Sequence, residues 1–392
     1  MKDGWTYKKL GELGTFIRGG GFLKKDYVEN GIPCIHYGQI HTILGPITQK
    51  HITSIPETLR NKTRFASKGD IIFAITSEDI EGSCKCTAWL GDYDVAVGGH
   101  AAIYKHNLYP AYVSYYAKSS SFYKQKEKYV HGFKVIEIKP SDIAQIDIPV
   151  PPLSEQQRIV SRLDAAFVHI DELKANAEKQ LSEARALFQK ALTKAVEPKE
   201  GWEEKTLKEL TSEIGDGLHG TPKYSDNGVY YFVNGNNLEN GIIEIKDNTK
   251  RVDFEEFEKY KLNLNSSTVF LSINGTIGKT AFYNGEPIIL GKSACYINVL
   301  PSLVKEYLRF FLLSDAFMDY AKNNSRQATI TNLGLKEIRN MPIPLPPISE
   351  QQRIVSRLDS LSAHVRELEE VLQKTIAECD ALKQALLRQV FE

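Results

Sequence analysis

The chain has 392 residues, 42% hydrophobic and 25% charged, with 49 basic side chains balancing 49 acidic ones. Such a composition fits a folded globular protein of two or three domains and excludes a disordered or collagen-like chain. No run of eighteen apolar residues occurs, the first residues lack the apolar core of a signal peptide, and five scattered cysteines suit reduced thiols, so a cytoplasmic protein is expected.

Residues 1–148 carry a net +4, 149–200 carry zero, and 201–343 and 344–392 carry −2 each. No segment is basic enough to announce nucleic acid by itself, so any DNA affinity must come from local patches or from a partner. The chain opens on a leader, Gly4-Trp5, Lys8, Leu10 and Glu12-Leu13. Irregular β-leaning sequence follows, with strands expected at Ile71 to Ile75 and Val95 to Val97 between Gly, Asn and Pro clusters, and a helix near 110–127.

The next segment occurs twice. Pro149 to Asp164 returns as Pro344 to Asp359, 195 residues later, with differences only at Val150/Leu345 and Leu153/Ile348. The leader also returns, 197 residues later, as Gly201-Trp202, Lys205, Leu207 and Glu209-Leu210; at that offset Gly38 falls on Gly235 and Ile72-Phe73 on Val269-Phe270. The second copy repeats the β-leaning pattern at Val229 to Val233 and Thr268 to Leu271, with a helix near 302–321. Glycines and apolar positions persist while the polar residues between them differ, as expected for one backbone presenting two surfaces.

Each repeated block opens a long helix, with Ser154 or Ser349 as N-cap and Gln157 or Gln352 completing a capping box. Ile159, Leu163, Ala166, Ile170, Leu173, Ala177, Ala184, Leu187 and Ala191 step by threes and fours. Ile354, Leu358, Leu361, Val365, Leu368, Leu372, Cys379, Leu382 and Leu386 match them. A 3.5-residue period over five heptads predicts that the two helices pair as an antiparallel intramolecular coiled coil. Helix 154–196 would then hold the two globular pieces roughly 60 Å apart. The expected fold is α+β: two mixed α/β domains (1–148 and 199–343), each followed by a spacer helix (149–198 and 344–392), related by a pseudo-two-fold axis.

These residues resemble the specificity subunit of type I restriction-modification systems. The resemblance rests on IPVPPLSEQQRIV and its copy IPLPPISEQQRIV, the heptad helices, the two Gly-Trp leaders, SINGTIGKTAF from Ser272 and QATITNL from Gln327. It implies a non-catalytic subunit for anti-phage defence. Each target-recognition domain would read one half of a split, asymmetric site in double-stranded DNA, the helices would set the unread gap, and two adenine-N6 methyltransferase subunits would dock. Restriction (helicase-nuclease) subunits would join. No cofactor is implied for this chain; S-adenosylmethionine belongs to the methyltransferase, and ATP and Mg to the restriction subunit. A methylation-only complex, or another defence complex reusing the same adaptor, is the alternative.

Enzymatic motifs are weak. Pro151-Pro152 and Pro346-Pro347 lack the preceding Asn or Asp of an adenine methylase. Gly278-Lys279-Thr280 lacks the earlier glycine of a phosphate-binding loop and continues as strand. Glu137-x-Lys139 and Glu244-x-Lys246 have nuclease-like spacing without a placed upstream Asp. Cys84-x-Cys86 with His100 and His106 lacks paired zinc spacing, and no metal site is expected.

DNA readers must reach phosphates or base edges, which favours Arg, Lys, Asn, Gln and His near turns. In the first half these are Arg18, Lys24, Lys25, His36, Tyr37, Gln39, Ser77, Lys85, His100 and Lys134. In the second they are His219, Lys223, Tyr224, Asn234, Asn236, Asn237, Asn274, Lys279, Lys292, Arg326 and Gln327. Glu155, Gln156, Glu350 and Gln351, identical in both blocks, are candidates for docking a repeated partner or for nucleating the helices.

Overall fold

A computed structural model describes residues 5–132, 134–327 and 331–392; the side chains at 326, 327 and 331 lie outside that description. Among the described residues no helix is long and apolar enough to cross a membrane. The chain divides into two compact units, Met1–Glu178 with Lys374–Glu392, and Lys179–Gln373. The division falls inside the long helices, so each unit holds a globular piece, the start of one long helix and the end of the other.

In the first unit a five-stranded sheet runs in the order Gly14–Arg18, Ala101–His106, Ile71–Ala74, Cys86–Trp89, Ile47–Thr48. A four-stranded sheet runs Thr53–Ile55, Ile32–Ile35, Val95–Val97, Arg64–Ala66. Ile71–Ala74 is buried throughout. Alternation along it sends Ile71 and Phe73 into the core shared with the helices, and Ile72 and Ala74 into a second core with Val95 and Trp89. In the second unit Thr268–Ser272 does the same, with Val269 and Leu271 on the helix side and Phe270 on the other.

This pairing moves the expected internal alignment by one residue. Ala101 opposes Ala74 and Ala294 opposes Ser272, so Ile71, not Ile72, corresponds to Val269. The extra residue sits at an irregularity in strand Thr211–Asp216, where the register shifts between Thr211 and Glu213. The helices expected near 110–127 and 302–321 are each broken in two, as Pro110–Tyr116 and Ser120–Lys126, and as Lys305–Leu312 and Asp315–Asn324. At each break a serine hydroxyl, Ser119 or Ser314, accepts from a backbone N–H three residues on and starts the second helix.

The long helices span Leu153–Val196 and Ile348–Phe391, 44 residues each. Each begins one residue before the expected serine cap, because the Pro152 carbonyl accepts from Glu155 and Gln156 N–H, and Pro347 does the same for Glu350 and Gln351. Ser154 and Ser349 therefore lie inside the first turn, and Gln157 and Gln352 are exposed. The glutamine that matters is the preceding one. Gln156 donates to the Pro151 carbonyl and accepts from Tyr109 N–H, both at 2.9 Å. Gln351, 0% exposed, donates to Pro346 and Ser302 carbonyls and accepts from Val304 N–H at 2.8 Å. Tyr112 and Tyr307 hydroxyls donate to the Pro149 and Pro344 carbonyls at 2.8 and 2.7 Å. The leader strands join the same corner: Thr6–Lys9 pairs with Asp147–Val150, and Glu203–Thr206 with Pro342–Leu345.

Within each unit the helices are antiparallel. In the first, Lys174 pairs with Asp380 at 2.7 Å and Asp171 with Lys383, and Ile159, Leu163, Leu387 and Phe391 share one core. In the second, Arg185 pairs with Glu369 at 2.6 Å, while Leu192 and Val196 pack with Ile354 and Leu358. One arm of the expected heptads is correct: Leu163, Ile170, Ala177 and Ala184 are buried, as are Leu358, Leu372 and Cys379. The other arm is correct at its start, where Ile159 and Ile354 are buried, and is displaced by one residue farther along. Leu173, Leu187, Leu368 and Leu382 are exposed, and the half-buried positions are Lys174, Leu181, Phe188, Glu369, Ile376 and Lys383. Long polar side chains occupy the seam because their stems cover it while their charged ends pair across it.

Replacing Gln351 by Ala leaves Val304 N–H and two carbonyls without their partner, and is expected to cost about 2–3 kcal/mol in urea unfolding. Gln352→Ala, one residue along and exposed, should change stability by less than about 0.5 kcal/mol.

Candidate nucleic-acid interface

In the first unit five elements bring Arg18, His36, Tyr37, Ser77 and His100 together. His36 caps the helix Tyr37–Thr42, its Nδ1 accepting from Gly38 N–H at 3.3 Å. The Tyr37 ring lies 4.5 Å from His36, 5.8 Å from His41 and 5.1 Å from His100. His100 Nδ1 is 3.1 Å from the Thr76 hydroxyl, beside Ser77, whose strand pairs with Ile136–Glu137. Glu137 binds Arg18 at 3.0 Å, and Arg18 Nε donates to Gly99 O at 3.0 Å. Lys24 and Lys25 are exposed on the short turn Lys24–Asp26, and Lys134 is exposed ahead of Ile136–Glu137. Burial lowers the His36 pKa, and His100 and Lys24 lower it further, so His36 presents a neutral ring at pH 7.

Two candidates leave this group. Gln39 is 8% exposed and fully used, accepting from His36 N–H and donating to the Thr53 hydroxyl. Lys85 instead lines a cavity on the helix side.

In the second unit the candidates fall into two neighbouring clefts. His219, Asn274 and Lys292 line one with Asp216 and Asn332; His219 Nε2 is 2.5 Å from Asp216. Tyr224, Asn234, Asn236 and Lys279 line the other with Lys246, Asn248 and Lys250. The last three were not among the expected readers. The signal for Lys250 is a lysine within the turn Asp247-Asn248-Thr249, and its ammonium lies 5.8 Å from the Tyr224 ring. Asn237 is internal, holding Asn234 N–H, Glu244 O and the Thr249 hydroxyl. Lys223 is exposed, and Lys279 is paired with Glu239 at 2.6 Å. Arg326–Gln327 forms a strand against Thr331–Asn332; the side chains of Arg326 and Gln327, and residues Ala328 to Ile330 of the QATITNL phrase, lie outside the described residues.

The two readers place different chemistry on the same frame. Ala74 N–H donates to Lys85 O and Ser272 N–H to Lys279 O, both at 2.8 Å, so these lysines are one position seen twice. By the same strand register His36 and His100 correspond to Asn234 and Ser293, which are bonded to each other at 3.1 Å. Backbone bonds are kept while the donors and acceptors mounted on them change.

Burial pushes the Cys84 and Cys86 thiols up to about 12, and pushes His106 down to about 4. Among the described residues no cluster of three or more metal-ligating side chains exists. At the helix starts, Glu155 and Glu350 pair with Arg158 and Arg353, each at 2.7 Å. Gln156 and Gln351, expected as docking contacts, are 3% and 0% exposed and bonded internally, so their side chains offer a partner nothing.

The family model for the type I restriction modification DNA specificity domain matches twice, over residues 2–183 and 199–378. The chain belongs to that family. It is 22% identical to the EcoKI specificity subunit of Escherichia coli K12 and 23% identical to the StySPI specificity subunit of Salmonella potsdam, covering all of this chain and 89% of each relative. Its fold matches a chain from a study of type I R-M complex assembly and conformational transition (TM-score 0.78, 20% identical, 100% and 98% of the two chains covered). It also matches the HsdS subunit of Thermoanaerobacter tengcongensis (TM-score 0.54, 21% identical, 100% and 97% covered).

Because burial is the largest cause of the low His36 pKa and His100 the second, His100→Asn should raise it without restoring the ordinary value of about 6.5. Histidine NMR titration of the full chain checks this.

Proposed function

We propose that this chain is the non-catalytic subunit that selects the DNA sequence for a type I restriction-modification complex. Each globular piece reads one half of a bipartite site in double-stranded DNA, and the long helices set the unread gap. Two adenine-N6 methyltransferase subunits carry S-adenosylmethionine, and restriction subunits carry ATP and Mg. The observation that supports this best is one frame built twice, with His36 and His100 exchanged for Asn234 and Ser293 while the helix starts are identical. Two different readers on equal mounts suit a site whose halves differ and whose partner is used twice.

The displaced heptad arm offers that partner a surface. Leu173 and Leu382 are 53% and 49% exposed in the first unit, and Leu368 and Leu187 are 43% and 64% exposed at the equivalent places in the second. Glu155 and Glu350 add an equivalent charged group at each helix start. Leucines left outside the seam on both units, in matching pairs, suit one apolar partner helix bound twice.

Coexpression with the cognate methyltransferase subunits should give one bipartite methylated motif by long-read sequencing, and His36→Asn with His100→Ser should alter only one half of it. Absence of any motif overturns the reading. For docking, Leu173→Ser with Leu382→Ser should remove one methyltransferase subunit in native mass spectrometry, and adding Leu187→Ser and Leu368→Ser should remove both. Full retention by the fourfold variant would place the partner elsewhere.

A further inference from the structure

The first unit contains a cavity of about 620 Å³ on the helix side of its sheet. It lies between the Glu81–Cys86 segment, the break between the two short helices at Lys118–Ser120, and Gln384 of the second long helix. Its size is that of a small-molecule site. Three lysines line it with one carboxylate, Glu81.

The lysines differ in how the fold holds them. Lys126 is 4% exposed, and its ammonium donates to the Glu81 carbonyl at 2.9 Å and the Ser83 carbonyl at 2.5 Å. It also lies 4.9 Å from the centre of the Tyr123 ring, another lining residue. Three donors and two carbonyl partners leave one N–H. Lys118, on the rim, makes no hydrogen bond or ion pair through its side chain among the described residues. Lys85 completes the set. Ser120, also in the lining, is bonded to the Glu392 carboxylate.

The second unit has a shorter loop here, six residues between Ser272 and Lys279 against ten between Ala74 and Lys85, and lacks the carbonyls that Lys126 holds. The helix break is the same, with Ser314 capping where Ser119 does. There Leu313 stands for Lys118, Met318 for Tyr123 and Ala321 for Lys126. The corresponding cavity is about 250 Å³, and its one shared lysine, Lys279, is paired with Glu239. The second cavity carries a cation of its own, Arg309, at the place of Ser114, so each copy sets a different charge under the same helix break.

We propose that this cavity binds the phosphate group of a small nucleotide-sized ligand, with Lys118, Lys126 and Lys85 as its cationic donors. Tyr123 offers a ring beside the charges. Two substitutions copied from the second unit, Lys118→Leu and Lys126→Ala, test it. The full-length chain is titrated by calorimetry with AMP and with inorganic phosphate at low ionic strength. The wild type should bind AMP. Lys118→Leu, on the rim and harmless to folding, should weaken binding about tenfold, the loss of one charge-assisted hydrogen bond, and the double variant should abolish it. Duplex carrying the methylated motif should not compete. No AMP or phosphate binding by the wild type, or unchanged binding by Lys118→Leu, overturns the proposal. Competition by duplex together with weaker DNA binding by Lys118→Leu also overturns it, by making the cavity a backbone contact.

Discussion

Everything each unit does depends on a buried glutamine at the start of its long helix. An amide at 3% or 0% exposure is tolerable only when its donors and acceptor are used. Gln156 and Gln351 use theirs on the Pro-Pro turn before the helix and on the chain entering the first short helix. With Tyr112 or Tyr307 bonded to the strand that precedes the turn, the helix leaves its globular piece in one direction. A reader that swivelled on its helix could not hold register with bases several ångströms apart, so this joint is where sequence recognition begins.

The seam then fixes how the helices meet. Its ion pairs are partly exposed, and such pairs contribute about 0–1 kcal/mol each, whereas burying one Leu or Phe contributes about 1.5–3 kcal/mol. Leu163, Leu387 and Phe391 in one unit, and Leu192, Leu358 and Val196 in the other, therefore supply the stability. The reciprocal pairs Lys174–Asp380 and Asp171–Lys383 contribute register, because sliding one helix by a turn separates both at once.

Much of this was legible in the sequence because duplication marks scaffold. The repeated block, the leaders, the central strands Ile71–Ala74 and Thr268–Ser272, and the length of the helices all follow from apolar pattern and repetition. What was misread followed from tertiary bonding. The serine caps lost to the Pro152 and Pro347 carbonyls. Leu173 and Leu187 look like seam residues by period, yet the partner helix covers Lys174 and Phe188 instead. Gln39, Asn237, Gln156 and Gln351 look like recognition residues by type, and only their buried bonds show that they hold the backbone. Lys246 and Lys250 were passed over because a lysine in a turn is ordinary until the fold sets it beside Tyr224 and Asn236.

Comparison of the two copies separates three kinds of position. Where side chain and bonding are both kept, as at Gln156 and Gln351, the residue serves the joint. Where bonding is kept and the side chain changes, as from His36 to Asn234, the residue is available for discrimination without cost to the frame. The third kind is a charge present in one copy and replaced by an apolar group in the other, at the same depth beneath the same serine-capped break. Lys126 and Ala321 are such a pair. In the first copy the Lys126 ammonium holds the Glu81 and Ser83 carbonyls, in a loop longer than its counterpart before Lys279. In the second copy the charge beneath the break comes from Arg309, where the first copy has Ser114, so the two copies differ in loop length and in charge at the same place in one frame.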